Sequence, residues 1–98
     1  MQLVKRIEII VASKETDRVL TLLDKLEVAG YSVIRDVVGK GDRGRVSDDF
    51  DFVSTTLSNV YILSFCAVDK LDGILAQLSP LFNKYGGVCY VSDAAKSN

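Results

Sequence analysis

Histidine is absent from the 98-residue chain. That gap removes the usual general base, the commonest metal ligand and the side chain that changes charge near neutral pH. Ser-His-Asp and Cys-His triads and most zinc sites are thereby excluded. Cysteine is nearly as scarce: Cys66 and Cys89 lie far apart, with no C-x-x-C pair. A small secreted domain would need a denser framework, so a reducing cytoplasm is the expected compartment. No stretch reaches the roughly 18 apolar residues of a membrane span, and residues 1–6 do not open a signal sequence. Neither export nor membrane insertion is expected. Charge of one sign is lacking as well: 12 Lys plus Arg against 13 Asp plus Glu leave a net −1. Such a chain has no field to hold a polyanion, and nucleic acid is not an expected partner.

What is present is an ordinary globular composition, 48% apolar and 26% charged, with one Pro and seven Gly. The length suits one domain, residues 1–98, with a core of modest depth.

Within residues 3–12, Ile7, Ile9 and Val11 alternate with Arg6, Glu8 and Ile10, the period of a β-strand. Ser13 is placed to cap a helix carrying Glu15 and Asp17 in its first turn, with Val19, Leu22, Leu23 and Leu26 at helical spacing. Gly30 stands where a helix C-cap favours glycine. Residues 31–38, rich in Val and Ile, read as a second strand ending at Gly39. Residues 40–58 form a loop too long and polar for a hairpin turn. Residues 60–68 are almost continuously apolar and read as a third strand buried on both faces. Asp69 would cap a second helix with a stripe of Leu71, Ile74, Leu75, Leu78 and Phe82, which Pro80 should kink or stop. Gly86 and Gly87 permit a turn into a fourth strand, residues 88–92, followed by a polar tail.

The order β-α-β-β-α-β predicts an α+β, ferredoxin-like domain: a four-stranded antiparallel sheet with two helices on one face and a long loop after strand two. Strands three and four are expected at opposite sheet edges, too far apart for a disulfide between Cys66 and Cys89. Ile10 beside Ile9 and Leu63 beside Ile62 make the second sheet face apolar, so self-assembly through that face is expected.

Three segments could carry chemistry. The run Gly39-Lys40-Gly41-Asp42-Arg43-Gly44-Arg45 combines exposed backbone amides with cations suited to phosphate or carboxylate oxygens. It is neither a Walker A loop nor a dinucleotide fingerprint, and the same pattern is also met in a solvated hairpin tip. Gly86-Gly87 suits either close approach to a ligand or a plain helix terminus. The stretch Ser47-Asp48-Asp49-Phe50-Asp51-Phe52 could close over a ligand or dock on a partner, or remain a solvated loop. No carboxylate pair reads as an acid and base couple, so no enzyme activity is expected.

Taken together, residues 5–11, Gly30-Tyr31-Ser32-Val33, Gly39-Lys40-Gly41 and Tyr85-Gly86-Gly87 resemble the PII-like signalling proteins over nearly the whole chain. The Gly-Lys-Gly with a nearby Arg most resembles the branch tied to inorganic carbon uptake and carboxysomes. The resemblance implies a homotrimer with adenine-nucleotide sites between subunits and a loop after strand two that reports ligand state to a partner. Ser32 would approach the adenine; Gly39, Lys40, Gly41 and Arg43 would line sugar and phosphates; Gly86 and Gly87 would bring backbone from the other side. Arg45 would help hold phosphate or bicarbonate, the second candidate effector. The family's phosphate loop is reduced here to Gly86-Gly87 and its C-terminal arginines are missing, which favours ADP, AMP or cyclic AMP over ATP. Strand two is one residue longer than the family pattern between Ser32 and Gly39, implying a bulge. The expected partner is a bicarbonate transporter or a carboxysome-associated protein, and no prosthetic group is implied. A ligand-free ferredoxin-like interaction module, recruiting protein through Phe50 and Phe52, is the competing expectation. A metal-tolerance protein of similar trimeric topology is disfavoured by the missing His.

Overall fold

A computed structural model of the chain describes residues 1–26, 28–38 and 58–98, together with the backbone of residues 40–41 and 44–45. Strand β1 (Gln2–Ala12) leads through a 3-10 turn (Ser13–Glu15) into helix α1 (Thr16–Lys25) and then strand β2 (Tyr31–Val37). Two-residue strands β3 (Lys40–Gly41) and β4 (Gly44–Arg45) form a separate antiparallel ribbon. Strand β5 (Asn59–Ala67), a second 3-10 turn (Val68–Lys70), helix α2 (Leu71–Tyr85) and strand β6 (Val88–Lys96) complete the chain. The main sheet has the order β2-β5-β1-β6 with every pair antiparallel. This is the expected ferredoxin-like architecture, with the small ribbon added within the long connection.

Alternation along β1 sends Ile7, Ile9 and Val11 to one face, where Val60, Ile62 and Cys66 of β5 join them. Val19 and Leu23 of α1 and Ile74 and Leu78 of α2 bury against that same face, so both helices cover one side of the sheet. Each such fully buried aliphatic side chain contributes about 1.5–3 kcal/mol. Buried polar groups in this layer are satisfied locally. The Ser64 hydroxyl donates to the Gly30 carbonyl at 2.7 Å, tying the start of β2 to β5, and Asn59 Nδ2 donates to the Val37 carbonyl at 3.3 Å.

Several expectations are corrected by the structure. β5 is buried throughout on the helix side, whereas on its other face only Asn59 is fully buried, Tyr61 and Leu63 are half-buried and Phe65 is 36% exposed. Its place is also central, between β2 and β1, while β6 is an edge. Cys66 lies opposite Lys5 and Cys89 opposite Ile9, four residues apart along β1 and on either side of it, so both thiols are free for a reason different from the expected one. Neither helix has a side-chain N-cap: Ser13 and Asp69 fall inside 3-10 turns, and the caps are Glu15 and Lys70. Helix α1 ends at Lys25, before Gly30. Pro80 does not stop α2, which runs to Tyr85. β6 continues to Lys96 rather than ending at residue 92, because β1 begins early enough for Gln2 to meet Lys96.

Candidate functional site

The sheet has two ends, and the predicted site residues divide between them. At one end Ala12 pairs with Asn59 and Ile10 with Val88. There β2 departs at Val37, the chain returns at Ser58, and Gly86-Gly87 lead into β6. Ser32 instead pairs with Leu63, further toward the other end, on the opposite edge strand. Three strand spacings separate β2 from β6, about 14 Å. One protomer therefore does not bring Ser32 and Gly86-Gly87 together.

Ser32 lines a cavity of about 650 Å³ whose walls include Gly30, Tyr31, Leu63, Phe65, Ile74 and Ala94, with Lys70 and Lys96 also contributing. Its lining is mainly apolar, with two ammonium groups and a hydroxyl that could fix the orientation of a ligand. The sequence reading missed Leu63, Phe65 and Lys70 as companions of Ser32, and singled out Lys96 only as the one C-terminal cation left. The β2–β5 register, which pairs Ser32 with Leu63, brings in Leu63 and Phe65, while Lys70 follows β5 in the 3-10 turn and Lys96 arrives from the far edge strand β6.

Gly86 and Gly87 take φ of +84° and +118°, backbone open to glycine and costly for other residues. The Gly86 N–H is used to close the helix, donating to the Phe82 carbonyl at 2.8 Å. Gly87 is required for space too: a Cβ there would lie 2.7 Å from a Val11 methyl and 3.1 Å from the Ile10 carbonyl oxygen. Next to this turn, the Arg18 guanidinium stacks over the Tyr85 ring at 4.0 Å while its Nε donates to buried Glu15 at 3.0 Å. Lys84 approaches the same ring at 5.3 Å.

In sequence the long connection joins β2 to β5. In the ribbon, Lys40 is opposite Arg45 and Gly41 opposite Gly44, which places two cationic positions on neighbouring strands. Gly39, Arg43 and the stretch 47–52 lie outside the described residues. The expected bulge is present: the β2–β5 register slips between Ile34 and Val37, and Asp36 within it adopts φ of +60°.

The outer sheet face holds a feature that sequence reading did not find. The Tyr61 hydroxyl donates to Glu8 Oε2 at 2.7 Å, Glu8 Oε1 faces Arg6 Nε at 3.9 Å, and Arg6 Nε donates to the Ser92 hydroxyl at 2.9 Å. This chain crosses three strands between apolar neighbours Ile10 and Leu63. Donation to Glu8, then burial, pushes the Tyr61 phenol above its ordinary pKa; Arg6 opposes the shift. Burial likewise raises both thiols, Cys66 and Cys89, leaving them poor nucleophiles. Among the described residues no group of metal-ligating side chains converges, and no helix is long and apolar enough to cross a membrane.

Comparison with known proteins bears on these halves. Residues 4–97 match the family model described as nitrogen regulatory protein P-II. No curated protein matches. A structure of CPII, a nitrogen regulatory PII-like protein from Thiomonas intermedia K12 bound to ADP, AMP and bicarbonate, superposes with a TM-score of 0.84 at 24% identity, covering 98% of this chain and 90% of that one. A putative PII-like signalling protein from Thermus thermophilus gives 0.73 at 21% identity, covering 96% and 91%. A duf3240 family protein from Shewanella baltica gives 0.69 at 13% identity, covering 100% and 94%.

Proposed function

Because the chain belongs to the nitrogen regulatory protein P-II family, we propose that it is a non-enzymatic, cytoplasmic ligand sensor whose homotrimer binds an adenine nucleotide, ADP or AMP, in the clefts between subunits. Bicarbonate is the second effector, held with the help of Arg45. The connection after β2 presents the ligand state to a partner protein of inorganic carbon metabolism, either a bicarbonate transporter or a carboxysome-associated protein. The observation that carries this reading is the division of the site over opposite edge strands. Ser32 lies on β2 at the cavity end of the sheet, whereas the Gly86-Gly87 turn enters the opposite edge strand β6 at the other end, so a cleft that uses both draws them from two copies. Binding of ADP, AMP and bicarbonate by the Thiomonas protein supports the choice of ligands.

In such a cleft the apolar lining at Leu63 and Phe65 suits the faces of a purine and the Ser32 hydroxyl its polar edge. Lys40 and Arg43 supply charge for the phosphates, and Gly86-Gly87 admits backbone approach without a side chain in the way. A ligand shifts the population of the partner-binding form only as far as its affinity for that form exceeds its affinity for the other.

Titration calorimetry tests this directly. The expected result is saturable binding of ADP or AMP at one site per protomer, weakened about 10- to 100-fold in Lys40→Ala or Arg43→Ala. Absence of heat with every adenine nucleotide, at concentrations where the assembly is intact by sedimentation, would leave the ligand-free interaction module as the better account.

A further inference from the structure

We propose that the end of β1 couples the Gly86-Gly87 turn to the stem of the long connection, with Ser13 and Ser58 as the joint. The nucleotide arm of the test rests on the function proposed above; the structural arm does not.

The last residues of β1 are held from both flanks. On one side Gly87 abuts them so closely that an added Cβ would meet Val11 at 2.7 Å, the Ile10 carbonyl oxygen at 3.1 Å and Phe82 at 3.2 Å. No slack exists there for Gly87 to move toward β1 without displacing it. On the other side, past the final ladder pair Ala12–Asn59, the Ser13 N–H donates to the Ser58 carbonyl at 2.8 Å and the two hydroxyls pair at 2.6 Å. Ser58 is the residue at which the long connection returns to the sheet. Its neighbour Asn59 is buried and reaches across to the Val37 carbonyl, where the connection departs. The strained residue of this departing stem is Asp36, at φ of +60° in the bulge.

The returning stem is thus fastened to the end of β1 at Ser13, the departing stem is fastened to Asn59, the β5 residue paired with Ala12, and the opposite flank of the β1 end carries the glycine turn. A ligand that fixes the turn holds Gly87 against Val11 and keeps the Ser13–Ser58 joint closed. Opening the joint loosens the turn in return, because coupling between two sites is reciprocal. The fit is stiff at Gly87, and the joint consists of two hydrogen bonds at the margin of the sheet, so the joint is where the linkage opens.

Ser13→Pro isolates the joint. Ala12 has φ −61° and ψ 146°, the conformation a residue before proline prefers, and Ser13 begins a 3-10 turn where a proline ring is tolerated. The variant therefore removes both the N–H and the hydroxyl while suiting the local φ and ψ, and its ring carbon, set where the N–H met the Ser58 carbonyl, forces the joint open. Ser13→Ala, which keeps the N–H, is the milder companion should the proline variant fold poorly. The first arm is ligand-free amide exchange by mass spectrometry. Gly87→Ala, which presses on Val11, should accelerate exchange of residues 58–62 at least about fivefold in the Ser13 protein and add nothing in the Ser13→Pro background. Acceleration confined to residues 9–12 overturns the proposal. In the second arm ADP should slow exchange of residues 58–62 in the parent protein but not in Ser13→Pro, which should bind ADP about fivefold more weakly. Persistent ADP protection of residues 58–62 in Ser13→Pro also overturns it. Absence of any ADP binding to the parent protein would remove the nucleotide reading and leave the first arm to decide the joint.

Discussion

Tyr61 shows how a side chain on the open sheet face shapes pH behaviour. Its hydroxyl donates to Glu8, a bond that only the protonated phenol makes, and this is the main reason its pKa is raised. A group whose pKa is higher in the folded chain than in the unfolded one adds stability in full below the unfolded value, about 10 for tyrosine, and loses it as pH rises through the folded value. Protonated Tyr61 therefore stabilises the protein at neutral pH, and that contribution disappears under alkaline conditions. Solvent access to the pair limits its size to about 1 kcal/mol or less. Urea unfolding of the parent protein and of Tyr61→Phe should differ by this amount at about pH 8, and the difference should shrink as pH rises past the unfolded value of about 10. A constant difference across the range would show that Glu8 is not the partner that matters. Neither the pairing nor its sign was legible in the sequence. Glu8 and Tyr61 lie 53 positions apart and meet only through the β1–β5 register.

At the scale of elements, hydrophobic period and length were readable, while ends and caps were not. Alternating Ile7, Ile9 and Val11 specified β1 because one face had to be buried, and the extra residue between Ser32 and Gly39 showed up as the bulge at Asp36. The caps failed because the hydroxyl of Ser13 is engaged with Ser58 and its carbonyl accepts from Thr16 Oγ1 at 2.7 Å, tertiary and turn contacts that no local pattern contains. β6 outran its apolar stretch because backbone pairing to residues 2–5, with Lys5 bonded to Asp93, carries a strand through Ala94 and Ala95 that propensity disfavours. Pro80 gives the clearest test at this scale. It lies on the exposed side inside α2, lacks an N–H for the Ala76 carbonyl and crowds it, yet the packing of Ile74, Leu78 and Phe82 keeps the helix continuous. Pro80→Ala should restore that hydrogen bond and stabilise the domain by about 1–2 kcal/mol, less than the full helix penalty because proline also restricts the unfolded chain. Chemical denaturation measures it; a loss of stability would mean that the ring itself packs usefully.

In the proposed assembly each protomer supplies only part of a cleft, and this makes the assembly testable by mixing. Each protomer offers one edge with Ser32 and, beyond β2, Lys40, and a second edge with Gly86-Gly87. Ser32→Trp fills the cavity half, and Gly86→Asp sets a negative charge on the turn half; nothing lies within 4 Å of a Cβ at Gly86, so the change strains only the local backbone. Neither variant alone should bind ADP. In a cyclic trimer every cleft draws one half from each of two neighbouring copies. After the two variants are unfolded together and refolded at equal amounts, a cleft is intact when its cavity half comes from the Gly86→Asp chain and its turn half from the Ser32→Trp chain. Random assortment gives that combination in about one quarter of clefts. Calorimetry should then recover about a quarter of the parent stoichiometry at parental affinity. Ser32→Trp mixed with Lys40→Glu should recover none, because those residues belong to the same edge. Recovery with the second mixture but not the first would reverse the assignment of halves, and recovery with neither would show that the nucleotide is held within a single chain.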